Sequence, residues 1–394
     1  MDNELIKSGL LFQSIAVLLL VFIIPLQITL QTPLMSMSSD MLISLQDRRV
    51  EWLTWTFSSL KYLDEAFLYS AIIPLIVNFS EPMRVPKMVM FLTISMYLCN
   101  ILAVIFQEYR PFWYTKDIKG EICLNGYGNP STQVMLASLV LTTLAIELFH
   151  KYKYRVAIYS VIISINLLIS FAFLYLGENF PHQVLTSLFI SFILITFTFT
   201  FEKKLLKLAN KSCYNYKKHR VFIVKWYIVG MLLIALILAF DSLILSYVKP
   251  DPKQIDFAVK HCSANYMPDG SKNVKGCACM FHLMAYVTGS LLLSNKLNMY
   301  WNITTFWKRF IRFFLNMAGS YSIFIGFGYI PTYDSLTESI FTAVVPLIIS
   351  GFLTSLLLPL LFTYMKLTNN ITSNIPKKDW KILHSKKRLV INKK

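Results

Sequence analysis

The sequence predicts an all-α protein, a polytopic membrane helical bundle with about nine transmembrane helices. Of its 394 residues, 55% are hydrophobic and only 15% are charged, and the mean hydropathy is +0.54. Soluble domains carry more charge than this. Apolar runs of about 18 to 25 residues recur along the chain, and each is long enough to cross roughly 30 Å of hydrocarbon as a helix.

The predicted spans follow one another with short connections. They cover residues 52–78, 88–106, 134–150, 155–176, 183–201, 221–247, 278–295, 309–331 and 338–365. A further apolar run, residues 9–30, is either a cleaved signal peptide or a retained signal anchor. We therefore expect a signal segment with a short lumenal stretch (1–35), a transmembrane domain (36–366) and a basic cytosolic tail (367–394).

Basic residues set the predicted orientation, because short cytosolic loops retain Lys and Arg. The loop 202–220 contains seven Lys and Arg residues against one acid, and the tail 366–394 contains nine against one acid. Both are expected to be cytosolic, which places 107–133 and 177–182 on the opposite face of the membrane. Since this topology accounts for much of the net charge of +17, we expect no nucleic-acid partner.

The six cysteines contain no CxxC pair, and no Cys and His cluster has the spacing of a metal site. The sequence therefore predicts no metal and no other cofactor. Cys262, Cys277 and Cys279 share one predicted non-cytosolic loop and offer one disulfide in an oxidising lumen. Free thiols at the membrane interface are the alternative.

Three segments at the predicted non-cytosolic face carry the candidate functional residues. They are residues 108–114 (EYRPFWY) after the second span, 123–133 (CLNGYGNPSTQ) before the third, and 175–184 (YLGENFPHQV) between the fourth and fifth. Because each segment adjoins the end of a span on the same face, we expect the three to converge when the helices bundle.

These segments resemble the signature of the glucose-6-phosphatase family, a branch of the type 2 phosphatidic acid phosphatase superfamily. The family pattern has Arg-Pro followed by aromatics, a Cys shortly before Pro-Ser-Gly-His, and then Arg, five residues and His-Phe-Pro-His-Gln-Val. Arg110-Pro-Phe-Trp, Cys123, Pro130-Ser131 and Phe180-Pro-His-Gln-Val match this pattern in order and spacing. The chain is identified as a divergent member of that family, with degenerate catalytic motifs.

The resemblance implies metal-free hydrolysis of a phosphomonoester at a lumenal site. One His attacks the phosphoryl group, a second His protonates the leaving alkoxide, and Lys, two Arg and backbone N–H groups hold the phosphoryl oxygens. Most of the corresponding positions of this chain carry other residues. These are Ala103 for the Lys, Phe173 for the second Arg, Thr132 for the Gly, Gln133 for the acid His and Asn179 for the nucleophile.

The replacements remove the reactive groups. The Asn179 amide has no basic lone pair to form a phosphoramidate, and the Gln133 amide releases no proton near neutral pH. Loss of a covalent nucleophile typically removes about six decades of rate in other hydrolases. Arg110 and Ser131 remain as candidate substrate-binding residues, and His182 is a candidate surrogate nucleophile.

Structural explanations exist for the same residues. Arg110 and the aromatics after it are typical of an interfacial anchor in the aromatic belt. Ser131 is a natural N-cap for the third span. His182 lies nearly one helical turn beyond Asn179, and a shift of that size usually destroys the alignment that attack requires.

Three functional classes follow. The leading hypothesis is a pseudo-phosphatase that binds a phosphorylated or polar ligand, or a partner membrane protein, with little or no hydrolysis. The second is a working phosphohydrolase for glucose 6-phosphate or a related phosphomonoester, which implies gluconeogenesis, and the third is a transporter. The resemblance also implies residence in the endoplasmic reticulum membrane with the site facing the lumen, and the basic tail is expected to contact membrane lipid.

Overall fold

The computed structural model describes residues 3–63, 65–149, 152–214, 221, 224–225, 227–232, 252–262, 276–294, 297, 300–329 and 340–368. All regular structure in these residues is helical, as the sequence predicts. The helices used below are α1 Asn3–Gln46, α2 Glu51–Ser58, α3 Leu68–Phe79, α4 Val85–Phe106, α5 Thr132–Phe149, α6 Arg155–Tyr175, α7 Pro181–Thr200, α8 Glu202–Tyr214, α9 Pro252–His261, α10 Cys279–Ser294, α11 Phe306–Gly328 and α12 Ile340–Tyr364.

Six segments of the described residues are long and apolar enough to cross a membrane. They are Val85–Tyr114, Thr132–Phe149, Arg155–Tyr175, Pro181–Thr200, Phe306–Gly328 and Ile340–Tyr364. Each corresponds to one predicted span, so the prediction of a membrane helical bundle is confirmed. Most of the predicted span 221–247 and of the tail 367–394 lies outside the described residues.

The prediction of one continuous span over 52–78 is wrong. After α2 a 3-10 turn covers Ser59–Tyr62, and the backbone leaves helical geometry at Leu63 before α3. Lys61 lies at this break, and a charged side chain is costly in hydrocarbon. Trp52 and Trp55 of α2 are 67% and 81% exposed, which is typical of a helix in the membrane interface.

The helix found at the predicted span 278–295 is also too short to cross the membrane completely. The structure has α10 there, a helix of 16 residues, which is shorter than the roughly 20 residues that cross a bilayer. Its first residue already lies inside the bundle, because the Sγ atom of Cys279 is 3.6 Å from the carbonyl oxygen of Thr93 in α4.

The N-terminal apolar run continues as one helix, α1, beyond the expected division between residues 35 and 36. The side chains of Gln27 and Thr186 are hydrogen-bonded, which places α1 against α7. At the far end of α1, Gln46 exchanges two hydrogen bonds with the backbone of Lys119, of 2.9 and 3.0 Å. The end of α1 therefore fastens the loop that follows α4.

Successive helices from α4 to α7 reverse direction, so their connections lie at two ends of the bundle. The loops 107–131 and 176–180 lie at one end, called the motif end below. The other end, called the basic end, contains the start of α4, the end of α5 and α8. There the Nζ atom of Lys87 lies 2.5 Å from Glu147 and 3.4 Å from Glu202.

These charges at the basic end form a buried ion cluster that joins three helices. Arg84 also pairs with Glu147, and the side chains of Lys87 and Glu147 are only 3% and 4% exposed. A charge that is buried this deeply is strongly destabilising once its partner is removed. The cluster therefore fixes α4, α5 and α8 relative to one another.

Replacing Glu147 by Gln should destabilise the protein by about 3 kcal/mol, because Lys87 would stay buried without its nearest carboxylate. We expect the Tm of the detergent-solubilised protein to fall by roughly 4 °C. Glu81→Gln is the matched control, since Glu81 is 52% exposed and pairs with Arg84 at 3.2 Å on the surface. Its effect should be below about 1 kcal/mol, and equal losses in the two variants would contradict the ion-cluster account.

Candidate functional site

Arg110 lies at the centre of the motif end and is only 1% exposed. Its Nε donates to the carbonyl oxygen of Gly126 at 2.8 Å, and its Nη1 donates to that of Glu178 at 3.0 Å. Its Nη2 lies 3.4 Å from the carbonyl oxygens of Asn125 and Tyr127. All three guanidinium nitrogens therefore bind backbone carbonyls, and the side chain ties two loops together.

The amide of Asn179 is also fully engaged by the protein and is 0% exposed. Its Oδ1 accepts a hydrogen bond of 2.9 Å from the Oγ of Ser131. Its Nδ2 donates to the carbonyl oxygen of Gly128 at 2.9 Å and to the Oε1 of Gln183 at 3.3 Å. A Cβ at residue 128 would lie 2.6 Å from this Oε1, so a larger residue there would displace the Gln183 amide.

Glu108 is a second centre of this polar network, with 2% exposure. Its Oε1 pairs with the Nε2 of His182 and accepts a 3.1 Å hydrogen bond from the Nε2 of Gln183. Its Oε2 accepts a 2.7 Å bond from the Nδ2 of Asn129. The His182 ring stacks on Phe180, and its Nδ1 has no hydrogen-bond partner in the described part of the chain.

Glu178 is fully buried and receives three backbone hydrogen bonds. Its Oε1 accepts from the N–H groups of Ile122 and Cys123, both at 2.9 Å, and its Oε2 accepts from that of Leu124 at 3.1 Å. Burial raises the pKa of the Glu178 carboxyl, and the charge of Arg110 and the three N–H groups oppose this rise. Burial is the largest of these effects, so the pKa of the Glu178 carboxyl stays above its usual value.

The geometry brings Arg110, Ser131, Asn179 and His182 into one network that spans all three sequence segments. Residues 85–207 match the PAP2 superfamily. This range, the PAP2 segment, contains α4 to α7 and every residue of the network. No curated protein and no solved structure matches the chain.

Two positions of the PAP2 segment at which the resemblance implies cations are filled by apolar packing. Ala103 is buried in a cluster with Phe112 and Trp113, and Phe173 is buried in another with Val184. Phe112 and Trp113 are 0% and 2% exposed. These aromatics therefore lie inside the protein, and the alternative of an interfacial anchor at Arg110 is wrong.

Three further candidate residues lie at the start of α5, at the motif end. Ser131 precedes the helix, and its backbone N–H donates to the Oγ of Ser187 at 2.6 Å. Thr132 is the first helical residue. Gln133 is 5% exposed, and its Oε1 has no hydrogen-bond partner among the described residues. The network described above therefore leaves the Oε1 of Gln133 unengaged.

The disulfide prediction is wrong about the partner of Cys262. The structure pairs Cys262, directly after α9, with Cys123 at an S–S distance of 2.02 Å. Cys277 and Cys279 form no disulfide within the described residues and are buried. They lie against α4 inside the bundle rather than in an exposed loop. The disulfide therefore joins the motif-end loop of the PAP2 segment to the C-terminal half of the chain.

Sequence reasoning missed Glu108 and Glu178 as members of the site. Neither occupies a position of the family pattern, so the resemblance assigns them no role. A signal was nevertheless present, since only 15% of the residues are charged. At the membrane boundary Glu178 directly precedes Asn179, and Glu108 lies two residues before Arg110. Ionisable residues in such places usually face the protein interior.

Proposed function

We propose that the chain is a pseudo-phosphatase of the glucose-6-phosphatase branch, a membrane protein that binds a partner and hydrolyses little or nothing. The hydrogen bonding of Asn179 carries this proposal. At the nucleophile position there is an amide whose donors and acceptor are all used by Gly128, Gln183 and Ser131. An amide has no basic lone pair with which to attack phosphorus.

The charges around Asn179 also support a site without phosphoryl transfer. A phosphate monoester carries a charge near −2 at pH 7 and needs several fixed cations. Here Arg110 is bound to backbone carbonyls, while the buried carboxylates of Glu108 and Glu178 lie in the same network. Like charges that are poorly solvated repel one another strongly, so this arrangement disfavours a phosphate ester. The binding roles that remain are those of an uncharged polar ligand and of a partner membrane protein.

The orientation that we propose places the motif end in the lumen of the endoplasmic reticulum. The exposed lysines of α8 support a cytosolic basic end, because cytosolic loops retain positive charge. The disulfide between Cys123 and Cys262 supports an oxidising compartment at the motif end. Both observations point to the same orientation and arise from different chemistry.

A working hydrolase is the second candidate, and the pairing of Glu108 with His182 favours it. The carboxylate of Glu108 holds the Nε2 of His182, and the Nδ1 is left without a partner in the described residues. A carboxylate that orients an imidazole in this way is how many enzymes activate histidine. This pair is the only feature of the site that resembles an activated nucleophile within the part of the chain described here.

Purified protein should hydrolyse glucose 6-phosphate at the rate of the buffer alone and should trap no phosphohistidine, because residue 179 is an amide. Release of inorganic phosphate and acid-labile ³²P labelling measure the two quantities. Asn179→His is the matched variant, and it should add little, since the acid and two cations are still absent and such groups act as a unit.

Turnover by the unmodified protein would contradict the proposal. If that turnover disappeared in both His182→Ala and Glu108→Gln, the second candidate would replace the first. Turnover that survives both substitutions would exclude His182 as the nucleophile and leave neither account standing.

A cysteine scan in sealed microsomes tests the orientation separately from the chemistry. Lys207→Cys in α8 should react with a membrane-impermeant maleimide, since Lys207 is exposed at the basic end. Lys119→Cys should react only after detergent is added, although the Lys119 side chain is 55% exposed, because it faces the lumen. The reverse pattern would invert the proposed topology.

A further inference from the structure

The motif end contains a carboxylate enclosed by backbone N–H groups. Glu178 lies between α6 and α7, and the consecutive amides of Ile122, Cys123 and Leu124 all donate to its two oxygens at 2.9 to 3.1 Å. Successive N–H groups that converge on one point form a concavity that binds anions. The occupant of this concavity is a side chain of the same protein.

Arg110 adds a cation beside this group of amides. It is 1% exposed, donates to the carbonyl oxygen of Glu178 and interacts electrostatically with its carboxylate. Backbone amides combined with a buried guanidinium are the donors that proteins use for phosphate, sulfate and carboxylate groups. The surroundings of Glu178 are thus those of an oxyanion site.

The backbone before Glu178 is built for this close approach. Gly177 has a φ of +72°, which residues with a Cβ rarely adopt, and a Cβ there would lie 2.7 Å from the carbonyl oxygen of Lys119. On the other side of the site, the disulfide from Cys123 to Cys262 holds the loop. Gly177 therefore positions the backbone that carries the Glu178 carboxylate, and the disulfide holds the loop that donates to it.

We infer that the backbone N–H groups of residues 122–124, beside the charge of Arg110, form an oxyanion-binding site, and that the Glu178 carboxylate is its built-in occupant. The inference deepens the proposed function, since residue 178 precedes the nucleophile position. An internal carboxylate keeps the loop folded with no phosphate bound. Removing it leaves a site for a small planar carboxylate such as formate, or for another small oxyanion.

Glu178→Ala should leave three buried N–H groups without an acceptor and lower the Tm by roughly 5 °C or more. Sodium formate at tens of millimolar should restore part of this loss, relative to sodium chloride at equal ionic strength. Inorganic phosphate tests whether the vacated site also accepts a tetrahedral anion. The wild type should show no specific response to formate, because its site is filled.

Two variants separate a specific site from a general salt effect. Glu178→Gln keeps the volume of the side chain, so it should be destabilised but not rescued by formate. Glu121→Ala removes a carboxylate from the same loop, where it pairs with Arg49 at 2.5 Å, and it should show no formate-specific rescue either. Rescue of all three variants to the same degree would overturn the inference.

If Glu178→Ala cannot be purified, it can be compared with the wild type in unextracted membranes, with and without formate. The measured quantity is the rate at which dithiothreitol exposes Cys123 and Cys262 to maleimide. This rate should be higher in Glu178→Ala than in the wild type, and formate should lower it. An unchanged rate, or an increased rate that neither formate nor phosphate lowers, would overturn the inference.

The two proposals fail in different ways. Hydrolysis of glucose 6-phosphate by the wild type would contradict the proposed function. It would not change the interpretation of rescue by formate. Absence of rescue by formate or phosphate would overturn the inference of a built-in anion. It would not affect the proposal that the protein lacks catalysis.

Discussion

The arrangement of the motif end depends on one constraint, the burial of the Arg110 guanidinium. A buried guanidinium requires acceptors for its N–H groups, and here backbone carbonyls of residues 125–127 and 178 supply them. Because those carbonyls belong to two separate loops, satisfying Arg110 joins the loops. The positions of Glu178 and Asn179 follow from this junction, since they lie where the second loop meets the first.

The balance of charge at the motif end differs from what phosphoryl transfer requires. That reaction needs cations around a dianion, and here carbonyl oxygens and two buried carboxylates surround the buried Arg110. Glu108 holds His182 and Gln183, while Glu178 holds the loop 122–124. Most polar groups of this network are therefore satisfied within the protein, which stabilises the fold. The exceptions among the described residues are the Nδ1 of His182 and the Oε1 of Gln133.

Much of the architecture could be predicted from the sequence, because apolar length and Lys and Arg placement are direct consequences of the bilayer. Convergence of the three segments also follows from the alternation of spans. The break near Lys61 was not predicted, since a hydropathy average over the apolar run conceals its three charged residues, Lys61, Asp64 and Glu65. The pairing of Cys123 with Cys262 was missed because it depends on how two distant parts of the chain pack.

The roles of Glu108 and Glu178 could not be read from the family pattern, which has no acid at either position. Burial alone predicts more, since an acid at a membrane boundary needs a hydrogen-bond donor. Burial does not predict which groups are the donors. Those are backbone N–H groups of a loop in one case and side chains in the other, and only the folded arrangement of the two loops determines them.

Titration with orthovanadate tests the central claim most directly, that the protein itself satisfies its former phosphoryl site. Orthovanadate adopts the geometry of the phosphoryl transition state, which an open site of this kind binds far more tightly than substrate. The account predicts no saturable heat of binding to the purified protein in isothermal titration calorimetry. Saturable binding that Arg110→Lys weakens would show that the guanidinium is available to a ligand and would contradict the account.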